Sequence, residues 1–332
     1  MRVNVRARRA SLLASRASSS AARAHAPARG AYSVFPVLLT QSATAVAAPT
    51  VFYLDTSALN QLLDDDEREQ VIAYLGKRAV VYVSAINVSE IVANVNATRR
   101  LELLKLANRL ADDRLPLGYP TDLLRLSLDA YVRRAPGLDV SIDPDSDVWI
   151  ALRQPERVDE RCREGIASHN SAGEESFREM HEKGRDGLQP VVDALSREDR
   201  KAIRNASSLC KVYFERPEFL KQMLSELLKE FGHPELAGKE QEFLTILEPW
   251  KFYFAAMVEG VYNRGVKSQR YGWRSNAGNL DTHQAIYLAF CDVFVTADAA
   301  QRRMLKPVEK RGHKPRHVIS YRELRRMALG AP

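Results

Sequence analysis

Four acidic residues spread along the chain are of the type and placement to do chemistry together: Asp55, Glu90, Asp281 and Asp298. Asp55 follows the apolar run Val51-Phe52-Tyr53-Leu54, and Asp298 follows Val293-Phe294-Val295-Thr296. Glu90 comes shortly after Val80-Val81-Tyr82-Val83, one turn into an expected helix, and Asp281 opens the helix leading into the Asp298 strand. Ligands of open α/β sheets bind outside the carboxyl ends of the strands. Carboxylates gathered there raise one another's pKa and are costly without a cation. A hard divalent metal on oxygen ligands answers that cost. Each acid also has a plainer role: Asp55 and Asp281 as helix caps, Glu90 on the surface of an amphipathic helix, and Asp298 in a turn.

Ser57 and Thr296 have hydroxyls placed to hydrogen-bond these carboxylates and hold them. Helix capping and strand termination are their simpler roles. Thr56 reads as structural. His283, two residues after Asp281, falls on a different side of the helix and also reads as structural. Asp292 precedes its strand and belongs at the opposite edge of the sheet. The run Asp64-Asp65-Asp66 reads as a solvated helix face, because successive helical residues point in different directions.

The elements that must position the acids follow from pattern. A strand is expected over 51–54, then a helix capped near Asp55 that runs to about Leu75. A second strand is expected over 79–83, followed by a helix through Glu90 to about Arg109. This alternation implies a parallel sheet. From Thr121 to Tyr271 the chain reads as helices with polar loops, clearest over 122–133, 196–215, 218–231 and 240–265. The charged segment 156–187 reads as a long exposed helix or a mobile lid. The α/β pattern resumes with a helix over 282–291, strands at 293–296 and 317–319, and helices over 300–305 and 321–327.

The segments around the acids resemble the PIN-domain nuclease family. Val51 to Leu59 (VFYLDTSAL) is similar to the family's opening strand with its first acid. Val83 to Ile91 (VSAINVSEI) is similar to its second strand and glutamate-bearing helix. Asp281 to Asp298 (DTHQAIYLAFCDVFVTAD) is similar to its closing block. The two stretches that carry these blocks, 49–115 and 276–332, make up a little under half of the residues after 48. The resemblance implies an α/β fold with three α/β/α layers and a central parallel sheet, interrupted by an all-helical insertion. The expected organisation is a tail over 1–48, the first part of the PIN-like domain over 49–115, the insertion over 116–275 and the second part over 276–332.

The resemblance also implies a metal-dependent endoribonuclease that hydrolyses RNA phosphodiesters, with Asp55, Glu90, Asp281 and Asp298 as the acidic quartet and Mg²⁺ (or Mn²⁺) as the cofactor. A few carboxylates suffice, since Mg²⁺ keeps several waters. Bound metal acidifies a water and polarises the phosphoryl oxygen. Displacement of the 3′ oxygen would leave a 5′-phosphate. Asp55 and Asp281 are expected closest to the metal. A toxin-like role, an inhibiting antitoxin protein and a homodimer stay open. The alternative is a catalytically inactive RNA-binding protein on a PIN-like scaffold. A phosphohydrolase of the haloacid-dehalogenase type also places an aspartate after its first strand, but that family wants a second aspartate where Ser57 stands.

Two cationic groups are candidate RNA contacts. Lys267, Arg270, Tyr271, Trp273 and Arg274 interleave cations with aromatics just before the Asp281 helix, a mixture suited to phosphates and unstacked bases. Arg302, Arg303, Lys306, Lys310 and Arg311 follow Asp298.

The formal net charge of +7 over 332 residues conceals a polarised chain. Residues 1–48 contain seven Arg, no Lys and no acid, and so carry that excess. Residues 299–332 carry ten basic and two acidic side chains, which leaves residues 49–298 acidic. An acidic pocket beside a basic flank suits a metal site that receives a polyanion. The tail is Arg-, Ser- and Ala-rich and is expected to be disordered. It has the composition of a transit peptide and an Ala45-Val46-Ala47 match to a signal-peptidase site, but a tail without function is the favoured reading. Three widely spaced cysteines point to a reducing compartment without a disulfide framework. With no apolar run of membrane-spanning length, the expected location is cytoplasmic, with organellar targeting left open.

Overall fold

Strand β1 (Thr50–Leu54) is the pivot of the molecule. Its β-branched and aromatic residues suit a strand covered on both faces. The structure, a computed structural model, describes residues 49–135, 140, 146–168, 195–262 and 279–330. The 1–48 tail therefore lies outside the described residues, as do Arg270, Arg274 and most of the 156–187 segment. The described residues belong to one unit, Ala43–Pro332.

After β1 come helices α1 (Thr56–Leu63) and α2 (Arg68–Arg78), strand β2 (Ala79–Tyr82), then α3 (Ala85–Val92) and α4 (Ala97–Ala111). A helical stretch follows: α5 (Pro120–Val132), α6 (Asp147–Arg153), α7 (Arg197–Ala202), α8 (Ala206–Glu215), α9 (Pro217–Glu230), α10 (Glu240–Ile246) and α11 (Glu248–Val261). The chain then forms α12 (Asn279–Gln284), a 3-10 turn over Ala285–Ala289, β3 (Val293–Thr296), α13 (Ala299–Leu305), β4 (His317–Ser320) and α14 (Tyr321–Leu329). The protein is mixed α/β, mostly helical, around one small parallel sheet of order β2-β1-β3-β4. Phe52 pairs with both Val81 and Val293, and Phe294 with Val318. A single parallel bridge between Ser84 and Leu117 extends the β2 edge.

Strand residues alternate between two apolar clusters, as the period-two geometry of a strand requires. Tyr53 and Phe294 enter one cluster, with side chains of α5, α8, α9, α10 and α11. Phe52, Leu54, Val293 and Val295 enter the other, with α1 to α4 and α14. The region read from sequence as an insertion therefore packs as the cover of one sheet face. Trp250 of α11 is fully buried and donates its indole N–H to the Leu124 carbonyl of α5 at 3.0 Å. Full burial of one such side chain contributes about 1.5–3 kcal/mol.

Several expected helices are broken, each for a local reason. The helix after Asp55 stops at Leu63, because Asp65 leaves it to accept from the Glu67 N–H, the Tyr321 hydroxyl and the Arg325 guanidinium. The run is thus a corner between two helices and not a helix face: Asp65 is pinned, Asp64 pairs with Arg99 at 2.7 Å, and both Asp64 and Asp66 stay exposed. The helix through Glu90 ends at Val92, and Asn96 caps a new one. Over 240–265 the helix restarts at Glu248, where a proline in the first turn is tolerated. The last helix, α14, opens with a Ser320/Glu323 capping box. It closes on Gly330 at φ +65°, a left-handed conformation that glycine adopts without steric cost.

Candidate metal centre at the carboxyl ends of β1 and β3

The chain leaves β1 towards one side of the sheet and β3 towards the other. α1 buries Leu59 and Leu62 in one apolar cluster, and α13 buries Leu305 in the opposite one. The sheet order makes β1 and β3 neighbours, so their carboxyl ends form a topological switch point, where α/β sheets open a ligand crevice. Asp55 stands at that point.

Asp55 is 3% exposed, and its backbone N–H still pairs with the Val295 carbonyl at 3.0 Å. Its Oδ1 accepts from the Ala58 backbone N–H at 2.7 Å, which makes Asp55 the N-cap of α1. Its Oδ2 accepts from the Thr296 hydroxyl at 2.6 Å. The Ser57 hydroxyl lies 2.8 and 2.9 Å from the two oxygens and shares one hydrogen between them. Ser57 Oγ in turn accepts from the backbone N–H groups of Ala297 and Asp298, at 2.8 and 3.1 Å. Thr296 Oγ1 accepts from the Asp298 N–H at 2.9 Å. Ser57 and Thr296 thus occupy the supporting positions expected of them and lock the start of α1 to the end of β3.

Burial pushes the Asp55 carboxyl up to about 6, against the lowering effect of its hydrogen bonds from Thr296, Ala58 and Ser57. The charge that adds to burial is that of Asp281. Asp281, in the first turn of α12, is half-buried. Two of the expected acids therefore act on each other, and one of them is a desolvated carboxylate.

The other two acids are engaged differently. Glu90, half-buried on α3, accepts a short hydrogen bond from the Thr56 hydroxyl. Thr56 Oγ1 also accepts from the Asn87 amide at 3.2 Å, and Asn87 forms a capping box with Ser84 at the start of α3. This chain of polar groups ties α1 to α3 and fixes the height of Glu90. Tyr53 sits beneath it: its hydroxyl bonds Ser84 at 2.9 Å and its ring stacks on Tyr287 at 4.7 Å. Burial raises the Tyr53 phenol well above its ordinary value, and the charges of Glu90 and Asp55 add to that. Asp298 is exposed, and its Oδ1 accepts from Ala300 and Gln301 N–H groups at 2.5 and 3.0 Å as the N-cap of α13.

Among the described residues, no three His, Cys, Asp or Glu side chains are drawn together closely enough to form a ready cage for an ion. The donor set still fits a hard divalent cation. Asp55 and Asp281 are oxygen donors at the switch point, and Asp55 is buried with its carboxyl raised to about 6. Cys210 and Cys291 are buried, and burial raises their thiols.

His283 stacks flat on Tyr253, with ring centroids 5.2 Å apart, in keeping with a packing role. Asp292 lies at the amino end of β3, where its Oδ2 accepts from the Val51 N–H at 2.9 Å. Of the expected cationic contacts, Arg302 pairs with Glu323 at 3.1 Å and Arg303 is exposed on α13. Sequence reading missed Gln284 and Gln301. Both are buried, and the Gln301 amide donates to Gln284 Oε1 at 2.9 Å, which joins α12 to α13. Each stands three residues after a site acid, and that spacing was the available signal.

No protein-family model, no curated protein and no solved structure matches the chain.

Proposed function

We propose that the chain is a metal-dependent endoribonuclease of PIN-like, three-layer α/β/α architecture. The single observation that carries this reading is the Asp55 carboxylate. It is buried at the β1/β3 switch point, held by three donors, and raised to about 6 beside the carboxylate of Asp281. A desolvated carboxylate beside a second acid is the kind of group that functional sites concentrate.

Asp55 and Asp281 would hold Mg²⁺ or Mn²⁺, with Glu90 and Asp298 reached directly or through water. When bound, the ion supplies an acidified water and polarises a phosphoryl oxygen. The protein's own groups do the positioning. Thr296 and Ser57 fix the Asp55 rotamer, Thr56 holds Glu90, and the α13 cap holds Asp298 at the rim. Incubation of labelled single-stranded RNA with Mg²⁺ or Mn²⁺ tests the reading. Cleavage products with 5′-phosphate ends, abolished by EDTA, are expected; RNA left intact across a broad substrate set contradicts it.

One observation favours the second reading, an RNA-binding protein on the same scaffold without turnover: Asp298 is already committed to capping α13. Metal-independent RNA binding with no cleavage would decide for that reading.

A further inference from the structure

The cations after Asp298 do not form one surface. Arg302 is paired with Glu323, and Lys306 with Glu309 at 2.9 Å. Lys310 and Arg311, beyond the far end of α13 from Asp298, instead line two adjoining hollows against the helical region. One hollow, of about 350 Å³, is walled by Lys211, Phe214, Lys251 and Arg311. The other, of about 390 Å³, is walled by Asn205, Glu259, Tyr262 and Lys310. Ser207 and Arg311 belong to both, so the two make a continuous trough between α8, α11 and the loop after α13.

Its charge is unbalanced. Lys211 has Glu215 at 3.6 Å, and Glu259 stands in the wall. Among the described residues, Lys251, Lys310 and Arg311 have no ion-pair partner, and Lys251 and Arg311 are half-buried. Cations that outnumber the acids in a concave, low-dielectric wall focus positive potential. Two joined hollows, each of a size for one small ligand, suit a chain of anions better than a single one. The half-buried Phe214 ring adds an aromatic face beside the cations, as single-stranded nucleic acid tracks do.

We propose that this trough is a track for the sugar-phosphate backbone of single-stranded RNA, remote from the acids. It rests on the nucleolytic reading only for the expectation that the same RNA reaches both sites.

The test is anisotropy of a fluorescein-labelled single-stranded 20-mer RNA with the full chain in EDTA, titrated between 50 and 200 mM NaCl. Lys251→Gln/Arg311→Gln is expected to weaken binding at least tenfold. The slope of log affinity against log salt should flatten by about 1.4, two phosphates at about 0.7 each for a single strand. Arg322→Gln/Arg326→Gln, an equal charge loss on the outer side of α14, is expected to leave both unchanged. Equal losses in the two double variants, or unchanged binding in the trough variant with its thermal melt intact, would overturn the proposal. So would displacement of the RNA by poly-glutamate at equal charge, since the trough would then be reading an acidic protein. Cleavage is followed in parallel with Mg²⁺. Trough-dependent binding without cleavage leaves the track standing and removes the nuclease; cleavage with trough-independent binding does the reverse.

Discussion

The Thr296 hydroxyl donates to Asp55 Oδ2 at 2.6 Å, closing a contact between residues 241 positions apart. This bond joins the first and last α/β blocks at the proposed metal site. It also opposes the burial that raises the Asp55 carboxyl. Thr296→Val keeps the shape and removes the donor. The Asp55 carboxyl should rise above about 6, and the acid limb of the cleavage pH profile should move with it. Cleavage at pH 6.5 should fall several-fold, and Thr296→Ser should restore it. An unmoved pH profile would leave Thr296 a packing residue only.

Asp55 also sets a pH dependence of stability. Its native carboxyl is raised from 3.8 to about 6, so between those values the folded state binds more protons than the unfolded one. Stability therefore falls as pH rises through that window, by at most about 3 kcal/mol for a two-unit shift. Asp55→Asn removes this cost: its amide oxygen can take the Ala58 N–H while its amide donates to Thr296. In metal-free urea unfolding, the variant should be about 1–3 kcal/mol more stable than the parent at pH 8 and no more stable at pH 4. Mg²⁺ should raise the parent's melting temperature and leave the variant's unchanged.

The buried Gln284–Gln301 bond gives a pairwise test. Among the described residues Gln301 Oε1 has no hydrogen-bond partner, so the pair is incompletely satisfied there. Gln301→Leu alone strands Gln284 Oε1 and should cost about 1–3 kcal/mol, whereas Gln284→Leu/Gln301→Leu together should come close to neutral. If the pair also holds α12 against α13 for Asp281 and Asp298, cleavage should fall in both variants while stability falls only in the first.

Arg316 couples the helical cover to the sheet. It is 8% exposed and bonds Glu248 at the start of α11 at 2.9 Å and Asp292 before β3 at 3.2 Å. Arg316→Met leaves Glu248 without its buried partner. Breaking such a pair typically costs about 3–5 kcal/mol, and calorimetry should show a correspondingly lower melting temperature.

The strands and the switch point were legible because uniformly apolar runs ending in an acid carry both signals at once. Asp55 with Ser57 and Thr296 was legible for the same reason. The break after Leu63 was not, since Asp65 leaves the helix for Tyr321 and Arg325, far away in sequence, and the Thr56 bond that holds Glu90 was equally hidden. Nor was the role of residues 120–261 legible. Their apolar faces are compatible with a free-standing helical unit, and only the contacts of Trp250, Tyr287 and Phe294 make them the cover of the sheet. The T-x-D at the end of β3 carried the Asp298 expectation, and the same residue also caps α13.

The central claim is that Asp55 and Asp281 share one hard cation. Crystals soaked in Mn²⁺ and measured near the manganese absorption edge test it most directly. An anomalous peak is expected within about 2.0–2.3 Å of an Asp55 carboxylate oxygen, with Asp281 as a second ligand or one water away, as oxygen coordination of such ions requires. Full Mn²⁺ occupancy elsewhere in the chain, with none at Asp55, would contradict it.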